Sequence, residues 1–318
     1  MIWIVACGAA AASGLLIYNF LEGESLLRDL RDEFVLSRTT LEDCDREWAD
    51  NADRSDAVVT LTTIPSRLPL IDTTLKSLMR QTRAPKAIRL HVPDYSTREQ
   101  VGYQVPQRIR NLRAVEIVGC RDWGPATKLI PAVLDSEPGQ GIIVVDDDRI
   151  YPPTLVRDLE DAARHAPDNA FALSGWIVPA DLVDRPTTLA TNVLQRPPAP
   201  VKSTRITGYY PVDILQGQSG YLVRPEFFDN AELVDYSAAP EAAFFVDDVW
   251  FSAHCRAPIL LVPTARTSFP PKLRQPHFRR TSLGLINRGD GRPENRNNTI
   301  MLRHFASRWR VGGLSSGR

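Results

Sequence analysis

Short apolar runs separated by amphipathic stretches set the pattern of this chain. Residues 57–64, 87–92, 115–118 and 141–145 are rich in β-branched residues, as expected of strands buried on both faces. Between them, residues 70–81 have helical spacing through Leu75, Leu78 and Met79, with Asp72 and Thr73 near the start. Residues 125–134 read as a helix with Pro125 in its first turn, and a further helix runs through Leu155 and Leu159. Strands alternating with helices predict βαβ units and an α/β fold with a mostly parallel central sheet flanked by helices. The second half is less regular: strands at 171–174, 221–223 and 259–262, a proline-rich loop over 179–204, a Gly-Gln-Ser-Gly turn at 217–220, and a segment 244–255. Beyond Pro270 the chain reads as a basic, mostly irregular tail with a helix at 299–309.

One run carries chemistry at its end. Gly141-Ile142-Ile143-Val144-Val145 leads straight into Asp146-Asp147-Asp148. In open α/β sheets ligands bind outside the carboxyl ends of the strands. Extended backbone would point Asp146 and Asp148 to one side and Asp147 to the other. Two such charges about 6 Å apart repel by roughly 3 kcal/mol at an effective dielectric near 20. That repulsion calls for a cation, and hard oxygen donors suit Mg²⁺ or Mn²⁺, which share their coordination with substrate phosphates. The competing reading is an acidic solvated turn ahead of the helix near Pro152 and Pro153.

The 318 residues fit one large or two small domains, and 43% hydrophobic with 24% charged residues is ordinary for a globular chain. The net charge of zero hides an asymmetry: from Arg266 onward twelve Lys and Arg face only Asp290 and Glu294. Such a block meets nucleic acid, anionic lipid or a phosphorylated ligand, or complements the acidic body of the same molecule. Four cysteines without a CxxC spacing argue against zinc, and a Cys120–Cys255 bridge is left open. Residues 2–20 are apolar and uncharged, with Trp3 and Tyr18 near the ends, so a membrane anchor is expected over a cleaved signal peptide, which lacks its basic start. Localisation then follows as a single-pass membrane protein, facing the Golgi or ER lumen in a eukaryote and otherwise on the cytoplasmic face.

The strings Val-Thr-Leu-Thr-Thr-Ile-Pro-Ser-Arg (59–67), Leu-Lys-Ser-Leu-Met-Arg-Gln-Thr (75–82), Asp-Trp-Gly-Pro-Ala-Thr-Lys-Leu (122–129), Val-Val-Asp-Asp-Asp (144–148) and Phe-Val-Asp-Asp-Val-Trp (245–250) occur in this order. Together they resemble the GT-A glycosyltransferases of the nucleotide-diphospho-sugar transferase superfamily, close to family 2 and exostosin-type domains. The resemblance covers residues 56–265 and implies a GT-A (Rossmann-like) catalytic domain there. An anchor at 1–20, a polar stalk at 21–55 and a basic tail at 266–318 completing the site would flank it. It implies transfer of a hexosyl-type sugar from a UDP- or GDP-sugar to a glycan, lipid or protein hydroxyl, with Mn²⁺ or Mg²⁺. The membrane partner would be reached through the N-terminal helix, and no nucleic acid is expected.

Carried over by position, Asp146–Asp148 would be the DxD motif, with Asp148 on the metal and Asp146 on the metal and the nucleotide side. Asp147 is counted with the donor-binding set. Thr62, Ile64, Pro65 and Arg67 would line the nucleotide pocket. Lys128, one turn into a helix opened by Gly124-Pro125, would reach the diphosphate with help from the helix N-terminus. Gly217 would let the backbone approach the sugar. Asp247 and Asp248 fall at the catalytic acid pair, Asp248 as base for the acceptor hydroxyl if the reaction inverts. His277, or else His304, would complete the metal shell, and Arg279 and Arg280 would neutralise the leaving diphosphate. Trp123, Trp176 and Trp250 are candidates for sugar stacking or for the core. The alternatives are a nucleotidyltransferase or phosphohydrolase using the same metal site, or a non-catalytic binder of anionic glycan or nucleic acid.

Overall fold

The computed structural model describes residues 2–272, Phe278 and residues 280–314. Eight strands form the central sheet: β1 (Val58–Thr62), β2 (Ile88–Pro93), β3 (Val115–Cys120), β4 (Ile142–Val144), β5 (Ala170–Ala172), β6 (Tyr210–Val212), β7 (Tyr221–Val223) and β8 (Ile259–Leu261). Their order is β6-β8-β5-β7-β4-β1-β2-β3. β1, β2, β3 and β4 run parallel to one another, and β5 runs parallel to β8. β7 runs antiparallel between β4 and β5, and β6 is antiparallel to β8. The expected mostly parallel α/β sheet is therefore what this chain forms.

The sequence explains why β4 lies at the centre. Its apolar residues alternate between two cores: Ile142 and Val144 pack with Val58, Leu129 and Tyr221 on one face, and Ile143 and Val145 with Leu61, Leu75 and Leu155 on the other. Each fully buried side chain of this size contributes about 1.5–3 kcal/mol. Helices α4 (Asp72–Met79) and α6 (Leu155–His165) cover the second face with their apolar sides. On the first face lie α5 (Ile130–Leu134) and α7 (Asp247–His254), with α8 (Asn297–His304) packed against α7.

Residues 21–55, expected as a stalk, contain α2 (Leu26–Arg38) and α3 (Leu41–Asp50), both against α4. A capping box between Thr40 and Asp43 starts α3. The Trp48 indole donates to Pro85 O (3.0 Å), and Asp45 holds Arg113 and the Ala114 N–H. The basic C-terminal block meets this acidic region: Arg266 pairs with Asp29 and Asp32, and Lys272 with Glu24. Its charge is thus partly neutralised within the molecule. Cys120 and Cys255 both carry free thiols.

The membrane-anchor reading of residues 2–20 does not hold: among the described residues no helix is long and apolar enough to cross a membrane. α1 (Ile2–Glu22) is helical, but its last turns are committed to protein. Asn19 Oδ1 accepts the Leu26 N–H, Lys202 donates to Leu21 O, Arg205 lies over the Phe20 ring, and Lys272 donates to the Tyr18 hydroxyl. A bilayer core requires about 20 apolar residues in sequence, and those turns are spent elsewhere. With the anchor go the single-pass localisation and the membrane as a partner.

His91 on β2 has 1% of its surface exposed, and neither ring nitrogen has a hydrogen-bond partner. Burial, followed by the Arg89 charge, pushes its pKa from 6.5 down to about 4. The unfolded chain therefore gains a proton that the folded chain refuses, and stability is lost as pH falls from about 6.5 to about 4. The full effect is about 3 kcal/mol. His91→Leu should flatten this part of the urea-denaturation stability profile, whereas an unchanged slope between pH 7 and pH 4 would exclude His91 as its source.

Candidate active site

The ends of β1 and β4, the turn leading into β7 and the first turn of α7 meet at one edge of the sheet. A cavity of about 500 Å³ opens there. Thr62, Ile64, Arg67, Lys128, Asp146, Asp147, Asp148, Asp247 and Asp248 all line it. Residues separated by more than a hundred positions thus share one chamber.

Lys128 stands at its centre. Gly124 turns the chain with φ +61°, where a Cβ would strike the Phe244 ring at 2.8 Å. The short 3₁₀ turn Ala126–Lys128 follows, and Thr60 Oγ1 fixes it by donating to Lys128 O (2.6 Å). Lys128 Nζ lies 2.6 Å from Asp146 Oδ1, 2.8 Å from Asp247 Oδ2 and 3.8 Å from Asp248 Oδ1. Burial alone would lower its pKa, but these three carboxylates raise it well above the ordinary lysine value. The ammonium is therefore a fixed charge. Two of its neighbours begin α7, where the helix dipole also favours anions.

Arg67 is the second cation. Its NH1 lies 2.9 Å from Asp147 Oδ1 and 3.2 Å from Asp148 Oδ2. Its other nitrogens donate to Thr281 Oγ1 (2.8 Å), Thr281 O (3.1 Å) and Phe278 O (3.2 Å). One guanidinium thus ties the acidic tip to the segment around Thr281, and Arg98 donates to the same Thr281 carbonyl. Asp147 is buried, accepting from Thr63 Oγ1 (2.5 Å) as well. The expected alternation, with Asp146 and Asp148 on one side, is not what forms. β4 ends at Val144, and in the turn beyond it Asp148 shares Arg67 with Asp147 while Asp146 faces Lys128.

The remaining carboxylates are strained electrostatically. Asp148, with 27% of its side chain exposed, is raised to about 6 by burial and then by Asp147. Asp248, with 31% exposed, is raised to about 8 by burial, against the Lys128 charge, with Asp247 adding to the rise. Its Oδ1 accepts the Gly217 N–H (3.2 Å). Gly217 has no room for more: a Cβ would lie 2.5 Å from Lys128 Nζ and 2.9 Å from Asp146 Oδ1. Tyr151 completes the tip by accepting the Asp146 N–H (2.7 Å).

Other predicted residues fall elsewhere. Pro65 is half-buried beside the cavity without lining it. Arg280 is exposed and does not line it. His304 is exposed and packs edge-on against Phe305. His277 and Arg279 lie outside the described residues. Trp250 is a core residue stacked on Tyr236, and Trp123 packs near that same tyrosine, whereas Trp176 lines the cavity. Arg98, Tyr103, Gln216 and Asn287 also line it without having been anticipated. They sit in loops with no local pattern. Asp122 had a signal, since it opens the Asp-Trp-Gly string, and it caps the Gly124 N–H (2.7 Å).

Five carboxylates against Lys128 and Arg67 leave the tip anionic, and two of them, Asp148 and Asp248, are raised in pKa by burial first and by neighbouring carboxylates after it. Hard oxygen donors in this excess fit Mg²⁺ or Mn²⁺ in chemistry. Among the described residues no three of His, Cys, Asp and Glu converge as a ready-made ligand set.

The sheet order, with one reversed strand beside the acid-bearing β4, is consistent with a GT-A fold. No family model matches the chain, and no curated protein matches it. Several solved structures overlap it. S. aureus TarS 1-349 overlaps with a TM-score of 0.42 at 14% identity, over 67% of this chain and 59% of that one. The mannosyltransferase PcManGT from Pyrobaculum calidifontis, in complex with GDP-Man and Mn²⁺, gives 0.41 at 17% identity over 80% and 67%. A 4-diphosphocytidyl-2C-methyl-D-erythritol synthase gives 0.40 at 15% identity over 72% and 98%. The chain thus spans 59% of the TarS fragment. Overlaps this loose carry no conclusion about activity.

Replacing Lys128 by Met would leave buried carboxylates without their counter-charge. Chemical denaturation should show a loss of about 3–5 kcal/mol. Gly217→Ala should cost about 1–3 kcal/mol through overpacking. Wild-type stability in Lys128→Met would show that Lys128 does not organise the site, and in Gly217→Ala that the space beside Gly217 can relax.

Proposed function

We propose that this chain is a glycosyltransferase that moves a sugar from a nucleotide-diphosphate donor to a hydroxyl acceptor, with a divalent cation. The observation that carries this reading is the convergence at one sheet edge: Asp148 open to the cavity, with Asp146, Asp247 and Asp248 gathered about Lys128. A UDP- or GDP-sugar is the proposed donor, lying along the ends of β1 and β4 with its base towards Thr62 and Ile64. A hexosyl group is the proposed cargo.

Asp148 would hold the cation, with the carboxylate of Asp146 next to it. When bound, Mg²⁺ or Mn²⁺ supplies Lewis-acid stabilisation of the departing diphosphate. Lys128 is fully engaged by carboxylates, so its proposed role is to hold Asp146, Asp247 and Asp248 in register rather than to grip phosphate alone. Arg67 plays the same part for Asp147 and Asp148, and positions the Thr281 segment over the chamber. Asp248 is the proposed group facing the acceptor hydroxyl. A carboxyl raised to about 8 is mostly protonated at neutral pH, so it takes that proton in its ionised form, whose share grows as pH rises towards 8. If the reaction retains configuration, Asp248 orients the acceptor instead. The tail residues His277, Arg279 and Arg280 stay in the proposal as a third ligand and as diphosphate partners.

Two measurements test the reading. UDP or GDP with Mn²⁺ should raise the melting temperature, since saturation at a hundredfold over Kd stabilises by about 2.7 kcal/mol. Asp148→Ala should abolish the Mn²⁺-dependent part, and retention of the full shift would remove Asp148 from the metal role. Asp248→Asn should keep the nucleotide shift while lowering sugar transfer by about 10²–10⁴-fold. Release of sugar 1-phosphate or inorganic phosphate in place of transfer would favour a nucleotidyltransferase or phosphohydrolase.

A further inference from the structure

A second chamber adjoins the first. It has a volume of about 590 Å³ and shares Trp176, Gln216 and Asn298 with the donor cavity. This size is within the range of small-molecule sites, about 300–1,000 Å³. Its outer wall is built from the proline-rich segment, through Asp184–Thr187, Pro198 and Pro200, and from the stretch that leads into α8.

The two chambers have opposite charge. The donor cavity is lined by six aspartates against Lys128, Arg67, Arg98 and Arg149. The second is lined by Arg185, Arg288 and Arg296 against Asp184 alone. Asp184 is already committed, with Arg296 Nε at 2.8 Å and Asn298 Nδ2 at 3.2 Å. Arg185 is satisfied by Asp181. Arg288 is exposed and makes no ion pair among the described residues. Gln216 fixes the junction, its Oε1 accepting from Ser174 Oγ (2.7 Å). A free guanidinium beside a positively biased groove is suited to planar, bidentate recognition of a carboxylate or phosphate.

We propose that this second chamber is the acceptor subsite and that it selects a saccharide carrying an anionic group, which Arg288 receives. The assignment rests on the glycosyltransferase reading of the adjoining chamber. The acceptor hydroxyl would enter past Gln216 towards Asp248 while the anionic group stays outside the acidic tip. Placing that group in the donor chamber would set it against the aspartates, so the same charge contrast fixes the direction of entry.

The test is binding by the full chain at low and moderate salt, with glucose 6-phosphate and glucuronate compared with glucose. The charged sugars should bind at least tenfold more tightly than glucose, with a salt-dependent advantage. Arg288→Gln should lower that advantage by about tenfold, and Arg288→Lys should restore part of it. The melting shift with UDP or GDP and Mn²⁺ should be unchanged in both variants, which checks that they fold and keep the donor chamber. Equal binding of charged and neutral sugars, or an Arg288→Gln variant indistinguishable from wild type, would overturn the proposal. A preference for glucuronate alone or glucose 6-phosphate alone would support it and distinguish carboxylate from phosphate. Arg288-dependent binding of charged sugars without any nucleotide shift would refute the donor reading and leave an anion-binding groove, whereas a nucleotide shift without charge preference would refute the groove alone.

Discussion

The ammonium of Lys128 is the interaction on which the site depends. Three carboxylates from two distant parts of the chain surround it, Asp146 from the tip of β4 and Asp247 and Asp248 from the start of α7. Without that charge the acids would repel one another across a poorly solvated chamber. With it, β4, the 3₁₀ turn at 126–128 and α7 are held at one edge, and Gly217 is forced to be a glycine because any larger residue would enter the same space. Five carboxylates against two central cations still leave the tip anionic. That residual charge makes a divalent cation the natural complement.

Arg67 repeats this logic at the other side of the tip. It neutralises Asp147 and Asp148 and at the same time binds the carbonyls of Phe278 and Thr281. The segment after Pro270 reads from its composition as a loose basic tail. In the fold it has partners on two sides, the acidic helices near Glu24 and Asp29 and the guanidiniums of Arg67 and Arg98. The basic segment of this chain of zero net charge is thus partly accounted for by contacts inside the molecule.

The parts of this architecture that were legible in the chain are those encoded by local periodicity. β4 is visible as an apolar β-branched run because both its faces are buried, and its acidic end predicts the location of the chamber. Lys128 was traceable to the Gly124 turn. What could not be read was set by distance in sequence: the insertion of β7 between β4 and β5, the pairing of Lys128 with Asp247, and the loop residues Arg98, Gln216 and Asn287. Those contacts depend on tertiary packing and leave no spacing behind. The apolar N-terminal stretch misled for a related reason. Hydropathy counts residues, whereas the fate of α1 is set by what Asn19, Phe20 and Leu21 touch.

The proline-rich stretch is closed by a small sheet in which Ser174–Trp176 pairs with Ile214–Leu215 and with Val201–Lys202. Ile214 sits opposite Trp176 and Val201 opposite Gly175, so the segment 177–200 is stapled at its base. Doubling the length of such a loop costs only about 0.6 kcal/mol in closure entropy. The clasp therefore fixes both ends of the proline-rich wall against Ser174–Trp176. A change of length within that wall leaves the spacing from Gly217 to the β4 tip as it is.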